Sequence, residues 1–249
     1  MAAGPDGYRR DCAVPHALIE IVAETGSTNQ DLAQRLSGGE YLPEGRWLVA
    51  DRQNAGRGRL GRVWDDGAGN FMGSTVVRIA PGDPSPATLA LLTGLAVHEA
   101  LSRFVSSGLM LKWPNDLLLH EAKVAGILLE MVSGVVIVGI GVNLVHAPEV
   151  PGRQTAALGD LAPSRDAFAE ALATSFDTEL QRWRSVGLAP LLRRWQSAAH
   201  PQGTPLRVLP PGEDAVEGAF AGLAEDGNLC VALLDGSIRT IHAGDVLLV

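Results

Sequence analysis

Apolar positions along this chain fall mostly into short runs with a period of two, interrupted by a few segments whose period lengthens to that of a helix. Leu18-Ile19-Glu20-Ile21-Val22 predicts a strand, and Trp47-Leu48-Val49-Ala50 predicts another. Between them the pattern switches at Ser27-Thr28-Asn29-Gln30 to a helix over Asp31–Leu36, stopped by Gly38-Gly39. Ser27 with Gln30 reads as a capping box, while a helix start is equally an anion site. Asn70–Ile79 predicts a strand, and Leu89, Leu92, Leu95, Ala96, Leu101, Phe104 and Val105 predict a long core-facing helix over Pro86–Val105. His98 and Glu99 are expected at its surface.

The longest apolar region, Gly126–Val145, is β-branched, broken by Glu130, Ser133 and Asn143, and carries a Ser133-Gly134 turn. It predicts a buried hairpin rather than a membrane helix. Helices are expected at about 164–186 and 188–199, with Trp183 and Trp195 packed inward. After His200-Pro201-Gln202-Gly203 the character changes to short alternating strands near 205–209, 216–223, 229–233, 237–241 and 246–249, the composition of a small β-barrel of SH3-like size.

The expected organisation is a flexible tail over 1–16, a large domain over 17–200 and a small one over 203–249, within a length of 249 residues. A net charge of −8 disfavours a protein that binds nucleic acid by coating its phosphates. Cys12 and Cys230 lie far apart with no C-x-x-C, and the six histidines show no H-x-x-x-H spacing, so neither a zinc site nor a disulfide framework is signalled. No targeting segment is evident at the start. A reducing cytoplasm is the expected setting.

Against this acidic background two stretches call for a ligand. Gly56-Arg57-Gly58-Arg59-Leu60-Gly61-Arg62-Val63-Trp64 sets arginines between glycines, so its backbone can approach an anion that guanidinium groups hold. It satisfies G-x-G-x-x-G, but turn-forming residues follow where a dinucleotide fold needs a helix. The second stretch, Lys112-Trp113-Pro114-Asn115-Asp116, is either a satisfied turn with a packed tryptophan or a cluster presented to a ligand. Lys123, entering an apolar strand, is an edge charge or a functional ammonium, and Asn143 ends the next strand as a hydrogen-bonding group.

Taken in order, Ser27-Thr28-Asn29, Gln53 to Trp64, Lys112 to Asp116 and Lys123-Val124-Ala125-Gly126-Ile127-Leu128 resemble the biotin protein ligases. The resemblance implies an α+β fold: a mixed sheet with helices, like that of class II aminoacyl-tRNA synthetases, followed by an SH3-like C-terminal barrel. It implies activation of biotin by MgATP to biotinyl-5′-AMP, then transfer to a lysine of a biotin carboxyl carrier protein domain. On the matching positions Ser27, Thr28, Asn29, Gln53, Arg57, Gly58, Arg59, Lys123 and Gly126 would form the biotin site. Arg59, Arg62, Trp64, Lys112, Asn115, Asp116 and Asn143 would form the ATP and adenylate site. Lys123 and Arg57 would be catalytic, and magnesium would come with ATP, near Asp116.

The arginine loop is expected to be disordered until an anion settles it. Some family members carry an N-terminal DNA-binding domain; the short stretch before the first strand here leads to the expectation of a ligase that binds neither DNA nor membrane. A lipoate ligase, a non-catalytic nucleotide-binding interaction protein and a Rossmann dehydrogenase are the rival readings.

Overall fold

The computed structural model describes residues 8–14 and 17–248. Two sheets organise the chain. The first comprises β1 (Tyr8–Val14), β2 (Ala17–Thr25), β3 (Arg46–Gln53), β4 (Phe71–Arg78), β5 (Leu109–Lys112), β6 (Asp116–Leu119), β7 (Ala122–Val132) and β8 (Val135–Val142), in the order β1-β2-β3-β4-β8-β7-β6-β5. It is mixed, because β2 and β3 run parallel across the crossover helix α1 (Thr28–Ser37) while the other neighbours are antiparallel.

Three helices, α2 (Leu89–Leu101), α3 (Arg165–Val186) and α4 (Leu188–Ser197), cover one face. Their side chains meet the sheet's inward-pointing residues in edge-to-face pairs such as Trp47 on Phe176 and Phe71 on Phe168. The other face is covered only in part: α1 sets Leu32 and Leu36 on Leu48, Val76, Val135 and Ile137. What α1 leaves uncovered is the floor of the site.

The second sheet comprises β9 (Pro205–Leu209), β10 (Val216–Leu223), β11 (Leu229–Ala232), β12 (Ile238–Ile241) and β13 (Asp245–Leu248), antiparallel in the order β12-β11-β10-β9-β13. Its apolar face, including Val208, Phe220 and Val231, joins the core of the larger unit. Polar contacts tighten this seam: Trp113 Nε1 donates to the Gly227 carbonyl at 3.1 Å, and Lys112 Nζ to the Val246 carbonyl at 3.1 Å.

The sequence pattern located these elements with few departures. Residues 8–14, expected in a flexible tail, form a strand paired with β2, whose outer edge would otherwise leave its backbone groups without ladder partners; residues 1–7, 15 and 16 of that tail lie outside the described residues. The helix expected over Pro86–Val105 opens as a 3-10 turn, Pro86–Thr88, and ends at Leu101. The capping box does not form, since Ser27 makes no side-chain cap bond. Its carbonyl accepts the Asp31 N–H at 3.0 Å instead, and Ser27 is buried against the cavity. By contrast Ser164 does cap α3, accepting from Ala167 N at 3.2 Å.

Candidate active site

A cavity of about 1170 Å³ opens between the uncovered sheet face, the arginine loop and β13. Alternation along β8 builds its floor. Val136, Val138, Ile140 and Val142 point into the helix-covered core, whereas Ile137, Gly139 and Gly141 point the other way. Ile137 packs under α1; the two glycines leave space. A Cβ at Gly139 would overlap the Asn29 amide, and one at Gly141 would overlap the Trp64 indole. In β7, Gly126 pairs with Gly141, and a Cβ there would lie 2.9 Å from the Trp64 ring and 3.0 Å from Lys123 Nζ.

One end of the cavity is a polar wall made by the start of α1. Thr28 N donates to Gln53 Oε1 at 2.8 Å, and the Thr28 and Ser74 hydroxyls are 2.7 Å apart. Ser74 Oγ donates to Asn29 Oδ1 at 2.6 Å, and Asn29 Nδ2 donates to Glu130 Oε2 at 2.7 Å. Thr28 and Asn29 are each 3 % exposed, so their polar groups have exchanged water for these partners, and Ser27 is equally buried beside them. Ser74 and Glu130 were not singled out in the sequence. Glu130's only signal was its interruption of an apolar strand, and Ser74 had none.

The centre of the cavity is a charge triad. Lys123 Nζ lies 2.5 Å from Asp116 Oδ1, and Lys112 Nζ lies 3.5 Å from Asp116 Oδ2. Burial alone would raise the Asp116 pKa, but the two ammonium groups outweigh it and hold the carboxyl below its usual range. Asp116 therefore stays ionised and keeps both lysines in place. Lys123 Nζ also sits 5.6 Å from the Trp64 ring centroid, a cation–π contact. The Lys123 backbone bonds to Gln154 and Ala156, drawing the 148–156 segment alongside as a side wall.

The arginine loop roofs this centre. It closes on itself through Gly58 N to Arg62 O at 2.7 Å and Trp64 N to Gly56 O at 2.9 Å, with a 3-10 turn, not a long helix, at Arg59–Gly61. The dinucleotide-fold reading thereby falls. Each arginine has a protein acceptor: Arg57 meets Glu130 at 3.1 Å, Arg59 donates to Asn115 Oδ1 at 3.0 Å, and Arg62 is clasped by Asp245 of β13. The mutual repulsion expected to keep the loop unsettled without an anion is thus offset by groups of the chain itself. Arg62 foremost, against burial and with help from Arg153, holds the Asp245 carboxyl below its ordinary range.

Three buried polar atoms at the cavity have no partner among the described residues: Trp64 Nε1, Asn143 Oδ1 and His200 Nε2. Asn143 Nδ2 donates to the Ala156 carbonyl at 3.1 Å, so its oxygen is the end left to accept. His200, read in the sequence as linker, is buried on the cavity wall with an unpartnered Nε2. All fifteen residues singled out for the site line one cavity, and Trp113, which lines it too, also serves the domain seam. Asp245 and Arg153 were missed, because nothing local in the Ala243-Gly244-Asp245 turn marks a partner far away in sequence.

Comparison with known proteins adds a second line of observation. Residues 23–145 match the biotin/lipoate A/B protein ligase family, and residues 205–249 match the biotin protein ligase C terminal domain. The chain is 33% identical over 237 residues to the biotin--[acetyl-CoA-carboxylase] ligase of Mycobacterium tuberculosis, covering 92% of this chain and 88% of that protein. The chain belongs to the biotin protein ligase family. A second ligase of the same description, from Paracoccus denitrificans, is 35% identical over 224 residues, covering 84% of this chain and 92% of that protein. The solved biotin protein ligase from Aquifex aeolicus in complex with biotin and ATP superposes with a TM-score of 0.80 at 29% identity, covering 93% of this chain and 98% of that one. Membership extends to both sheets, so the second sheet is this family's C-terminal domain and not an unrelated module.

Proposed function

We propose that this protein is a biotin protein ligase, which activates biotin with MgATP to biotinyl-5′-AMP, releases pyrophosphate, and passes the biotinyl group to a lysine of a biotin carboxyl carrier protein domain. The observation that carries this reading is Lys123, held on Asp116 in the middle of a cavity with a neutral hydrogen-bonding wall at one end and arginines with a tryptophan at the other. A carboxylate attacking an α-phosphorus brings two anions together, and a fixed cation at their meeting point lowers that repulsion.

In this reading Ser27, Thr28, Asn29, Gln53 and Gly126 bound the biotin head group, and Arg57, Gly58 and Arg59 close over it. Lys123 and Arg57 stabilise the charge that develops as the carboxylate oxygen bonds to phosphorus and pyrophosphate leaves. Arg59, Arg62, Lys112 and Asn115 take the phosphates. Trp64 covers the adenine, and Asn143 Oδ1 accepts from an N–H of the nucleotide. Both Asp116 oxygens face lysine ammonium groups, so its role is to fix Lys112 and Lys123. Magnesium enters with ATP as part of the substrate; among the described residues no group of three or more His, Cys, Asp or Glu side chains gathers to hold a metal.

In the second step the carrier's lysine amine attacks the acyl carbon of the anhydride, an amide bond forms and AMP departs. Covering by the arginine loop keeps water from that carbon in the interval. The reading includes a cytoplasmic setting without DNA as a partner, in line with the net charge of −8. Among the described residues no helix is long and apolar enough to cross a membrane. The test is pyrophosphate release on mixing with MgATP: biotin stimulates it and lipoate does not. Release driven by lipoate in preference to biotin contradicts the assignment.

A further inference from the structure

We propose that Glu130 is a positioning residue that sets the hydrogen-bond polarity of the biotin wall and ties the arginine loop to it; this rests on the reading above that the wall takes the biotin head group. Glu130 lies on the cavity face of β7, in register with Ile137. Its carboxylate accepts from Asn29 Nδ2 at 2.7 Å through Oε2, and Arg57 Nη2 lies 3.1 Å from Oε1 and 3.2 Å from Oε2.

An ionised carboxylate only accepts, and that one-sidedness propagates. Asn29 must turn its Nδ2 toward Glu130, which leaves Oδ1 to accept from Ser74 Oγ at 2.6 Å. Having donated there, Ser74 accepts from the Thr28 hydroxyl, 2.7 Å away, whose one hydrogen is then withheld from Gln53 Oε1 at 3.0 Å. Gln53 at the far end turns Oε1 to the Thr28 N–H at 2.8 Å, so its Nε2 lies beside Gly56 as a donor. With both hydroxyl hydrogens spent inside the chain, the hydrogens left for a ligand are the second one on Asn29 Nδ2 and those on Gln53 Nε2, and these amides suit a carbonyl acceptor. A cyclic urea carbonyl is such an acceptor, whereas the dithiolane of lipoate offers none.

An exposed ion pair of Glu130 with Arg57 alone would contribute little. The bond to Asn29 is different, because Asn29 is 3 % exposed and its amide would otherwise be free to rotate through 180° and reverse the chain of donors. Glu130 does not touch the reacting atoms; it acts through Asn29 and Arg57.

The experiment compares wild type, Glu130→Gln and Glu130→Asp in biotin-dependent pyrophosphate release, with thermal melting and timed trypsin digestion of the same ligand-free preparations. In Glu130→Gln one oxygen faces two donors. The KM for biotin is expected to rise roughly ten-fold or more, and the preference for biotin over lipoate to narrow, with the KM for ATP changed less than about two-fold. Glu130→Asp, which keeps an acceptor-only group, is expected to restore part of the biotin KM. Trypsin is expected to cut the arginine loop several-fold faster in Glu130→Gln at an unchanged melting temperature. An unchanged biotin KM with unchanged loop cleavage overturns the proposal. So does an equal rise in both KM values with a fall in melting temperature, the mark of a merely structural residue. A wild-type protein that releases no pyrophosphate overturns the functional reading instead, and the loop cleavage then decides the Glu130–Arg57 tie separately.

Discussion

Arg62 of the arginine loop and Asp245 of β13, 183 residues apart in sequence, clasp each other across the mouth of the cavity. Asp245 also lies 3.6 Å from Arg153 on the opposite wall. One carboxylate of the C-terminal domain therefore gathers two walls of a site that belongs to the larger domain, which gives the small sheet a direct part in closing the roof.

Asp245→Asn is expected to loosen that roof more than it destabilises the protein. Both partners are partly exposed, so the pair's coupling with Arg62→Ala in a double-mutant cycle of thermal stability is expected to be about 1 kcal/mol or less. Trypsin cleavage between Arg57 and Arg62 should meanwhile accelerate several-fold, and the KM for ATP should rise. Identical cleavage rates in the two proteins would show that the clasp does not hold the loop.

Gly141→Ala tests the floor. The added methyl would overlap the Trp64 indole, so the ring or the strand must shift. A loss of about 1–3 kcal/mol in stability is expected from overpacking, together with a ten-fold or greater rise in the KM for ATP, measured by denaturation and by initial rates. Wild-type kinetics would mean that Trp64 is not part of the nucleotide site.

Glu179→Ala provides the opposite profile. This carboxylate is fully buried between α3 and α4 and accepts from Arg194 at 2.6 and 2.8 Å and from Arg182 at 2.7 Å. Removing it takes this acceptor from two partly exposed guanidinium groups, of which Arg194 keeps Glu99, and empties a buried site, at a cost of about 2 kcal/mol, or roughly 4–8 °C in melting temperature. Both KM values should be unchanged at a temperature where the variant is folded. A kinetic change with intact stability would contradict the division between core and site.

Acidification should weaken the fold in a window set by histidines. Burial holds His98 below the ordinary value near 6.5, and it does the same for His200, where Lys112 adds to the lowering and Glu121 opposes it. The unfolded chain therefore takes up these protons first, so their contribution is full above about pH 6.5 and falls as the pH drops toward the folded-state values. Asp116 and Asp245, shifted down, keep theirs until the pH falls through the carboxylate range. The melting temperature should decline between pH 7 and 5, and His98→Gln with His200→Gln should flatten that slope. An unaltered slope in the double variant would assign the loss to other groups.

The legible parts of this protein were those whose cause is local. The β-branched apolar run on either side of Ser133-Gly134 predicted a buried hairpin, and glycines among arginines predicted a loop at a ligand, because strand pattern and loop chemistry are written in consecutive residues. The family motifs then assembled the site at the level of residues. What stayed hidden depended on the third dimension. Ser74 is one polar residue in β4, and only the register that sets it opposite Gly139 brings it to Asn29. Asp245 is an ordinary turn residue until β13 docks at the cavity mouth. Ser27 shows the converse: its local pattern reads as a cap, but tertiary burial at the cavity wall takes the side chain elsewhere.

The most direct test of the central claim is transfer of radiolabelled biotin to a biotin carboxyl carrier protein domain in the presence of MgATP, comparing wild type with Lys123→Ala and Arg57→Ala. The account predicts label on the carrier with wild type and a loss of about a hundred-fold or more with Lys123→Ala, with a smaller but clear loss for Arg57→Ala. Full transfer by Lys123→Ala would contradict the role given to the Lys123–Asp116 pair, and absence of label with wild type would contradict the ligase assignment itself.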